Sequence, residues 1–137
     1  MSAKYFLDTN IVVYAFDKSA PKKQAQAREL LDIDKDWVIS WQVIQEFSSV
    51  ALHRFATPVS PSFLKDFIAM VLWPKCQILP TCMLYEKATE IHQQAQYRYD
   101  DALIVASAIE SGAPVLYTED LQHGRTLDSM KIENPFC

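Results

Sequence analysis

The sequence predicts an α/β domain built on a mainly parallel sheet with helices on both faces. Two observations point there. Short apolar runs at residues 4–8, 37–40 and 114–118 have the length and the β-branched or aromatic content of buried strands. Between them lie longer stretches whose apolar residues recur every three or four positions, the spacing of one helix face. Such alternation is the pattern of parallel strands joined by helical crossovers. The chain has 137 residues, half of them hydrophobic, so a single domain over residues 1–137 is expected.

The elements follow in order. Lys-Tyr-Phe-Leu-Asp at 4–8 reads as a buried strand, with a helix expected from Ile11 to Phe16. Pro21 suits the first turn of a second helix, which places Ala27, Leu30 and Leu31 on one face. Residues 37–40 form a short β-rich run. Val43, Ile44, Phe47, Val50 and Ala51 mark residues 42–55 as a helix. Two prolines around Val59-Ser60 break the chain. Phe63, Phe67 and Met70 then align along a helix expected over 62–73, which Pro74 should stop. Residues 77–79 are a brief strand candidate. Leu84, Ala88, Ile91 and Ala95 form the stripe of an amphipathic helix. Residues 100–111 read as another helix, with Gly112 suited to its C-terminal cap. Pro-Val-Leu-Tyr-Thr at 114–118 is the clearest strand, and residues 131–133 are one more candidate.

Composition removes several function classes. The two glycines, Gly112 and Gly124, cannot make a dinucleotide fingerprint, a phosphate loop or a nucleophile elbow. Cys76, Cys82 and Cys137 form no disulfide framework and no zinc spacing. No apolar run is long enough for a membrane span, and the first residues lack the features of a signal peptide. A cytoplasmic protein with no membrane partner is therefore expected. Net charge is −4, whereas proteins that grip nucleic acid by charge alone are usually basic. A polyanionic substrate would need bound cations, which favours a metal enzyme over a plain binding module.

The acids fall in informative places. In parallel sheets of this kind, ligands bind beyond the carboxyl ends of the strands. Asp8 ends the first strand, and Asp120 lies two residues past the strand that ends at Thr118. Asp101 lies in the first turn of a helix leading back into that strand. Glu46 follows the strand at 37–40 by six residues, within roughly 10 Å at ~1.5 Å per helical residue. Carboxylates gathered at one edge raise one another's pKa unless a cation offsets them. Mg2+ or Mn2+ would do so, and phosphodiester hydrolysis is the chemistry that such a site supports. Taken singly, each acid also has an ordinary reading: a strand end, a helix N-terminal acid or a solvated helix residue.

These residues resemble a known family. Phe6-Leu7-Asp8-Thr9-Asn10-Ile11, with Tyr14 and Asp17 following, is similar to the opening motif of PIN domains. Val43-Ile44-Gln45-Glu46-Phe47 matches their second acidic motif. Residues 101–108, from Asp101, resemble the third, and Leu116-Tyr117-Thr118-Glu119-Asp120-Leu121 the fourth. The closing Ile132-Glu133-Asn134-Pro135-Phe136 looks like the end of VapC-type toxins. The resemblance covers essentially the whole chain, in order. It implies an α/β/α sandwich and a Mg2+- or Mn2+-dependent endoribonuclease whose acids are Asp8, Glu46, Asp101 and Asp120. It also implies a cognate antitoxin as partner and, commonly, a homodimer. Thr9, Asn10 and Thr118 would support the site rather than bind metal directly.

Two choices stay open at this level. Asp100 competes with Asp101, with Asp100 read as the helix N-cap and Asp101 as the residue facing the metal. Glu119 competes with Asp120 in the same way. Lys22-Lys23, Arg54, Arg98 and Arg125 are candidate RNA contacts, Arg125 first because it follows Asp120 closely. Asp32, Asp34 and Asp36 imitate a calcium loop, but Trp37 and Val43 stand where Gly and Glu are required. His92 falls on the apolar helix face and reads as a core histidine. An aspartyl-phosphate phosphatase would want an acid where Asn10 stands, and a phospho-receiver a lysine just after Thr118. The remaining alternative is a catalytically silent PIN-like module that binds RNA or protein.

Overall fold

Tyr5–Leu7 forms the central strand, β1, with Phe6 and Leu7 fully buried. The computed structural model describes residues 4–137; Met1, Ser2 and Ala3, the start of the stretch read for a leader, lie outside it. β1 pairs in parallel with β2 (Trp37–Ser40) on one side and β4 (Val115–Tyr117) on the other. β3 (Cys76–Ile78) extends the sheet beyond β2, and β6 (Met130–Glu133) extends it beyond β4, both in parallel. β5 (Thr126–Leu127) closes the far edge as an antiparallel partner of β6. The sheet order is therefore β3-β2-β1-β4-β6-β5.

That order puts helices on both faces. The chain steps outward from β1 to β3 through α1 (Thr9–Tyr14), α2 (Pro21–Leu30), α3 (Trp41–His53) and α4 (Pro61–Phe67). It returns to β4, on the other side of β1, through α5 (Cys82–Ala95) and α6 (Tyr99–Ser111). Right-handed crossovers in opposite directions place the two helix sets on opposite faces. α6 runs against β2, β3 and β4 and is covered outside by α5. It thus buries seven consecutive residues, from Ala102 to Ala108, where a surface helix would bury a stripe. Ser107 fits this apolar layer because its hydroxyl bonds back to the Leu103 carbonyl at 2.9 Å.

The expected elements shift in specific places. α1 begins at Thr9, not Ile11, because the Asp8 carboxylate caps it by accepting the Thr9 N–H at 2.7 Å. The helix expected over 62–73 is broken. α4 ends at Phe67, the backbone widens into a π-helical turn over Ile68–Leu72, and it tightens into a 3₁₀ turn over Trp73–Lys75 that contains Pro74. This change of pitch buries Leu64 and Leu72 and leaves Met70 outside, off the stripe the spacing suggested. Gly112 ends α6 at φ 78°, as a left-handed cap requires. β5 carries no strong strand signal. Its hairpin turn uses Asp128 and Ser129, both at positive φ, where Asn-Gly or Asp-Gly is usual.

An aromatic cluster fastens α1, α3 and α4 together. Phe47 is fully buried, with the rings of Phe16, Phe55 and Phe67 at 5.4, 6.2 and 5.4 Å. Phe47 lies one residue after Glu46, so this packing also sets the roll of α3 at the carboxyl edge of the sheet. Phe47→Ala should cost about 3–5 kcal/mol of unfolding free energy, read as a lowered urea midpoint at unchanged slope.

Candidate active site

The sheet changes direction between β1 and β4, and both strands end at the same level, because the Asp8 N–H donates to the Tyr117 carbonyl at 3.1 Å. The crevice beyond this switch point is where a doubly-wound sheet binds its ligand. Asp8 sits there, 5% exposed. Its Oδ1 accepts the Thr9 N–H, and its Oδ2 accepts the Thr118 hydroxyl at 2.8 Å. Burial pushes this carboxyl up to about 7; the bonds from Thr118 and Thr9 oppose the rise, and the charges of Asp120 and Glu46 add to it.

Thr118, directly after β4 and fully buried, is the hub. Besides donating to Asp8, its hydroxyl accepts from Asn10 Nδ2 at 3.2 Å and from the Asp120 N–H at 3.1 Å. One donor and two lone pairs are then all engaged. Asn10 Nδ2 also reaches Asp120 Oδ2 at 2.9 Å, and its Oδ1 accepts the Glu119 N–H at 3.3 Å. Glu46 enters from α3. Its Oε1 accepts the Thr9 hydroxyl at 2.6 Å, and its Oε2 accepts from Gln42 Nε2 at 3.3 Å. The same Gln42 nitrogen donates to the Asp100 carbonyl at 2.9 Å, joining α3 to the first turn of α6. Asp101 stands in that turn. Burial pushes it up to about 6, Asp100 and Asp120 raise it further, Arg98 pulls it down and Glu46 adds a smaller push upward. Asp8, Glu46, Asp101 and Asp120 are thus brought together from four parts of the chain, close enough to load one another electrostatically.

The geometry bears on both open choices. Glu119 points to the other side of its turn, where Oε1 accepts the Tyr14 hydroxyl and Oε2 the Lys23 ammonium, each at 2.6 Å. Burial pushes Glu119 up, but these two partners outweigh it and hold the carboxyl below its ordinary range. Tyr14 also meets the Phe136 ring at 5.0 Å, and Lys23 lies 5.4 Å from the same ring. Asp120 is therefore the member of the pair bonded within the cluster. The N-cap of α6 is Arg98 rather than Asp100; Asp100 is the second helical residue, exposed and 3.5 Å from Arg98 Nε.

One other expectation is corrected. His92 is exposed, with Nδ1 2.6 Å from the Tyr97 carbonyl, so it ties down the α5–α6 connection instead of entering the core. The Lys23 ammonium engages Glu119. Arg125 lies with its guanidinium over the Tyr97 ring at 5.3 Å. One supporting residue and one supporting ion pair went unrecognised. Gln42 had a usable signal: it lies four residues before Glu46, on the same helix face. The Lys23–Glu119 pair had none, since 96 positions separate the two.

The PIN-domain family model matches residues 5–126, and the chain belongs to that family. Three solved structures show the company it keeps. One is a toxin–antitoxin complex from Klebsiella pneumoniae, with 19% identity, TM-score 0.68 and 98% of each chain covered. Another is VapBC2 from Rickettsia felis bound to a fragment of its promoter DNA, with 23% identity, TM-score 0.65, and 96% of this chain and 98% of that one covered. A third is VapC20 of Mycobacterium tuberculosis, a toxin that cleaves the sarcin–ricin loop, with 18% identity, TM-score 0.63, and 85% and 91% covered. At these identities the likeness establishes a shared fold. No curated protein sequence matches the chain.

The raised Asp8 carboxyl has a consequence for stability. Below its ordinary value of 3.8 it is protonated in both the folded and the unfolded chain. As pH rises from there through about 7, the unfolded chain ionises first and the metal-free fold loses stability. Asp8→Asn removes this titration. Without metal, the stability of Asp8→Asn relative to wild type should therefore climb between about pH 4 and pH 8, by at most about 4 kcal/mol. Melting both proteins in chelator at several pH values checks this; a constant gap would contradict it.

Proposed function

We propose that this chain is a divalent-metal-dependent endoribonuclease of the VapC toxin type. The observation that carries the reading is the carboxylate cluster around a desolvated Asp8 at the switch point of the sheet. The donors fit a hard cation such as Mg2+ or Mn2+, being oxygens without exception. Gln42 Oε1, buried beside Glu46 with no hydrogen-bond donor, adds an acceptor of the kind that a hydrated cation's waters satisfy. Among the described residues, no three His, Cys, Asp or Glu side chains form a ready-made metal cage. That openness suits Mg2+, which keeps several waters and is completed by substrate phosphate oxygens.

Asp8, Glu46, Asp101 and Asp120 would hold the cation. When bound, it would lower the pKa of a water and offset charge on the phosphate. The chain's own residues set the stage. Thr118 aims Asp8, Thr9 and Gln42 aim Glu46, and Asn10 keeps Asp120 on the cluster side of its turn. In hydrolysis the attacking water's oxygen bonds to phosphorus, and its proton goes to a carboxylate oxygen. The phosphorus–oxygen bond to the departing ribose breaks, and that oxygen takes a proton from solvent while the carboxylic acid returns its own to solvent.

The solved relatives support an antitoxin partner, since they are drawn from toxin–antitoxin complexes. Exposed apolar side chains at Phe63, Met70 and Trp73 suit a protein that works against another chain, antitoxin or second copy. Among the described residues no helix is long and apolar enough to cross a membrane. An RNA substrate and three free thiols suit the cytoplasm.

Purified protein should cleave transfer or ribosomal RNA with Mn2+ and stop in chelator. Asp8→Asn and Asp101→Asn should each lower the rate at least about a hundredfold while remaining folded. Glu119→Gln should cost far less than Asp120→Asn. Cleavage that is indifferent to chelator, or equal in Asp8→Asn, would sink the reading. Folded wild type as inactive as Asp8→Asn on all these RNAs would instead favour a silent binding module.

A further inference from the structure

A groove of about 420 Å³ leads away from the cluster along α3, with Glu46 and Asp120 among its walls and Arg54 among them as well. Arg54 is the one cation among the described residues that line it. It lies eight residues beyond Glu46, about 12 Å further at ~1.5 Å per residue. Val13 and Val50 supply apolar lining in the same groove. The size suits a nucleotide-scale ligand.

Of the other candidate cations, Lys22 does not line this groove, and the rest are engaged elsewhere, as are two further lysines. Lys23 pairs with Glu119, Lys87 with Asp128, Lys131 with Glu133 and Arg98 with Asp100. Arg125 lies over Tyr97. Arg54 is exposed, and no carboxylate pairs with it among the described residues. Its backbone is fixed, because its N–H donates to the Val50 carbonyl at 2.8 Å. A planar, permanently charged guanidinium is well matched to a phosphate.

We infer that this groove is a subsite for single-stranded RNA, in which Arg54 binds a phosphate next to, but not at, the bond that is cut. The inference rests on the nuclease reading. It gives an acidic chain its means of orienting a polyanion: acids and a cation gather one phosphate at the cluster, and Arg54 holds a neighbouring one. The apolar lining between carries ribose or base.

The test is anisotropy with a labelled single-stranded RNA of about a dozen nucleotides and mixed sequence, titrated with KCl at fixed Mg2+. The protein carries Asp8→Asn so that the RNA stays intact. Adding Arg54→Ala should weaken binding about tenfold and reduce the slope of log affinity against log salt by about 0.7, the loss of one phosphate contact. Arg54→Lys should restore most of the slope, which a role limited to the helix dipole would not predict in the salt series. Arg125→Ala should change both quantities less. Unchanged affinity and slope in Arg54→Ala, or a larger loss in Arg125→Ala, would overturn the assignment and leave the nuclease reading intact. No RNA binding by the parent with Arg54 in place would overturn both. Melting curves of the exposed Arg54 variants confirm that they are folded.

Discussion

Asp8 is the constraint on which the rest depends. It is a charged-type side chain placed where the fold offers least water, at the junction of the two central strands. Burial there is unfavourable unless its oxygens are bonded, and they are: one by the start of α1, the other by the first residue after β4. A single carboxylate therefore initiates a helix, joins two strand ends and anchors the acidic cluster. Thr118 exists as a buried hydroxyl because Asp8 needs that donor. Asn10 and Asp120 take their positions from Thr118 in turn. The site is one connected network, and its residues should not be additive in their effects.

Much of the fold was legible because its signals are local. Strands with no exposed face read as unbroken apolar runs, and the helices carried clear three- and four-residue spacing. The α4 region was not legible in this way. Phe63, Phe67 and Met70 satisfy a helical period, yet the backbone changes pitch at Ile68 to bury Leu72 in the core. Tertiary packing overrode a local repeat there. The β5–β6 turn was missed for the opposite reason: Asp128 and Ser129 adopt conformations that their residue types rarely announce.

For the site, topology alone placed four acids at one edge. It could not say which member of an adjacent pair turns inward. Glu119 and Asp120 are chemically alike, and the choice between them is made by Tyr14 and Lys23, two residues of the N-terminal crossover that accept no part in the cluster itself. Asp100 and Asp101 are separated by helix phase, which a one-residue error in the helix start would reverse. Long-range partners decide the first case, and no window of sequence contains them; the second turns on where α6 begins.

The ring of Phe136 rests on Tyr14 and beside Lys23, the two residues that hold Glu119 aside. The last turn of the chain is thereby a latch on a clamp more than a hundred positions away in sequence. Bulk attached near Phe136, or chain trimmed back past it, would open that clamp to water. Glu119 would then lose the partners that hold it aside, while Asp120 keeps its bonds with Asn10 and Thr118. A tag or a clipped tail, well separated in sequence from Asp8, Glu46, Asp101 and Asp120, would be felt at the turn beside the acidic cluster.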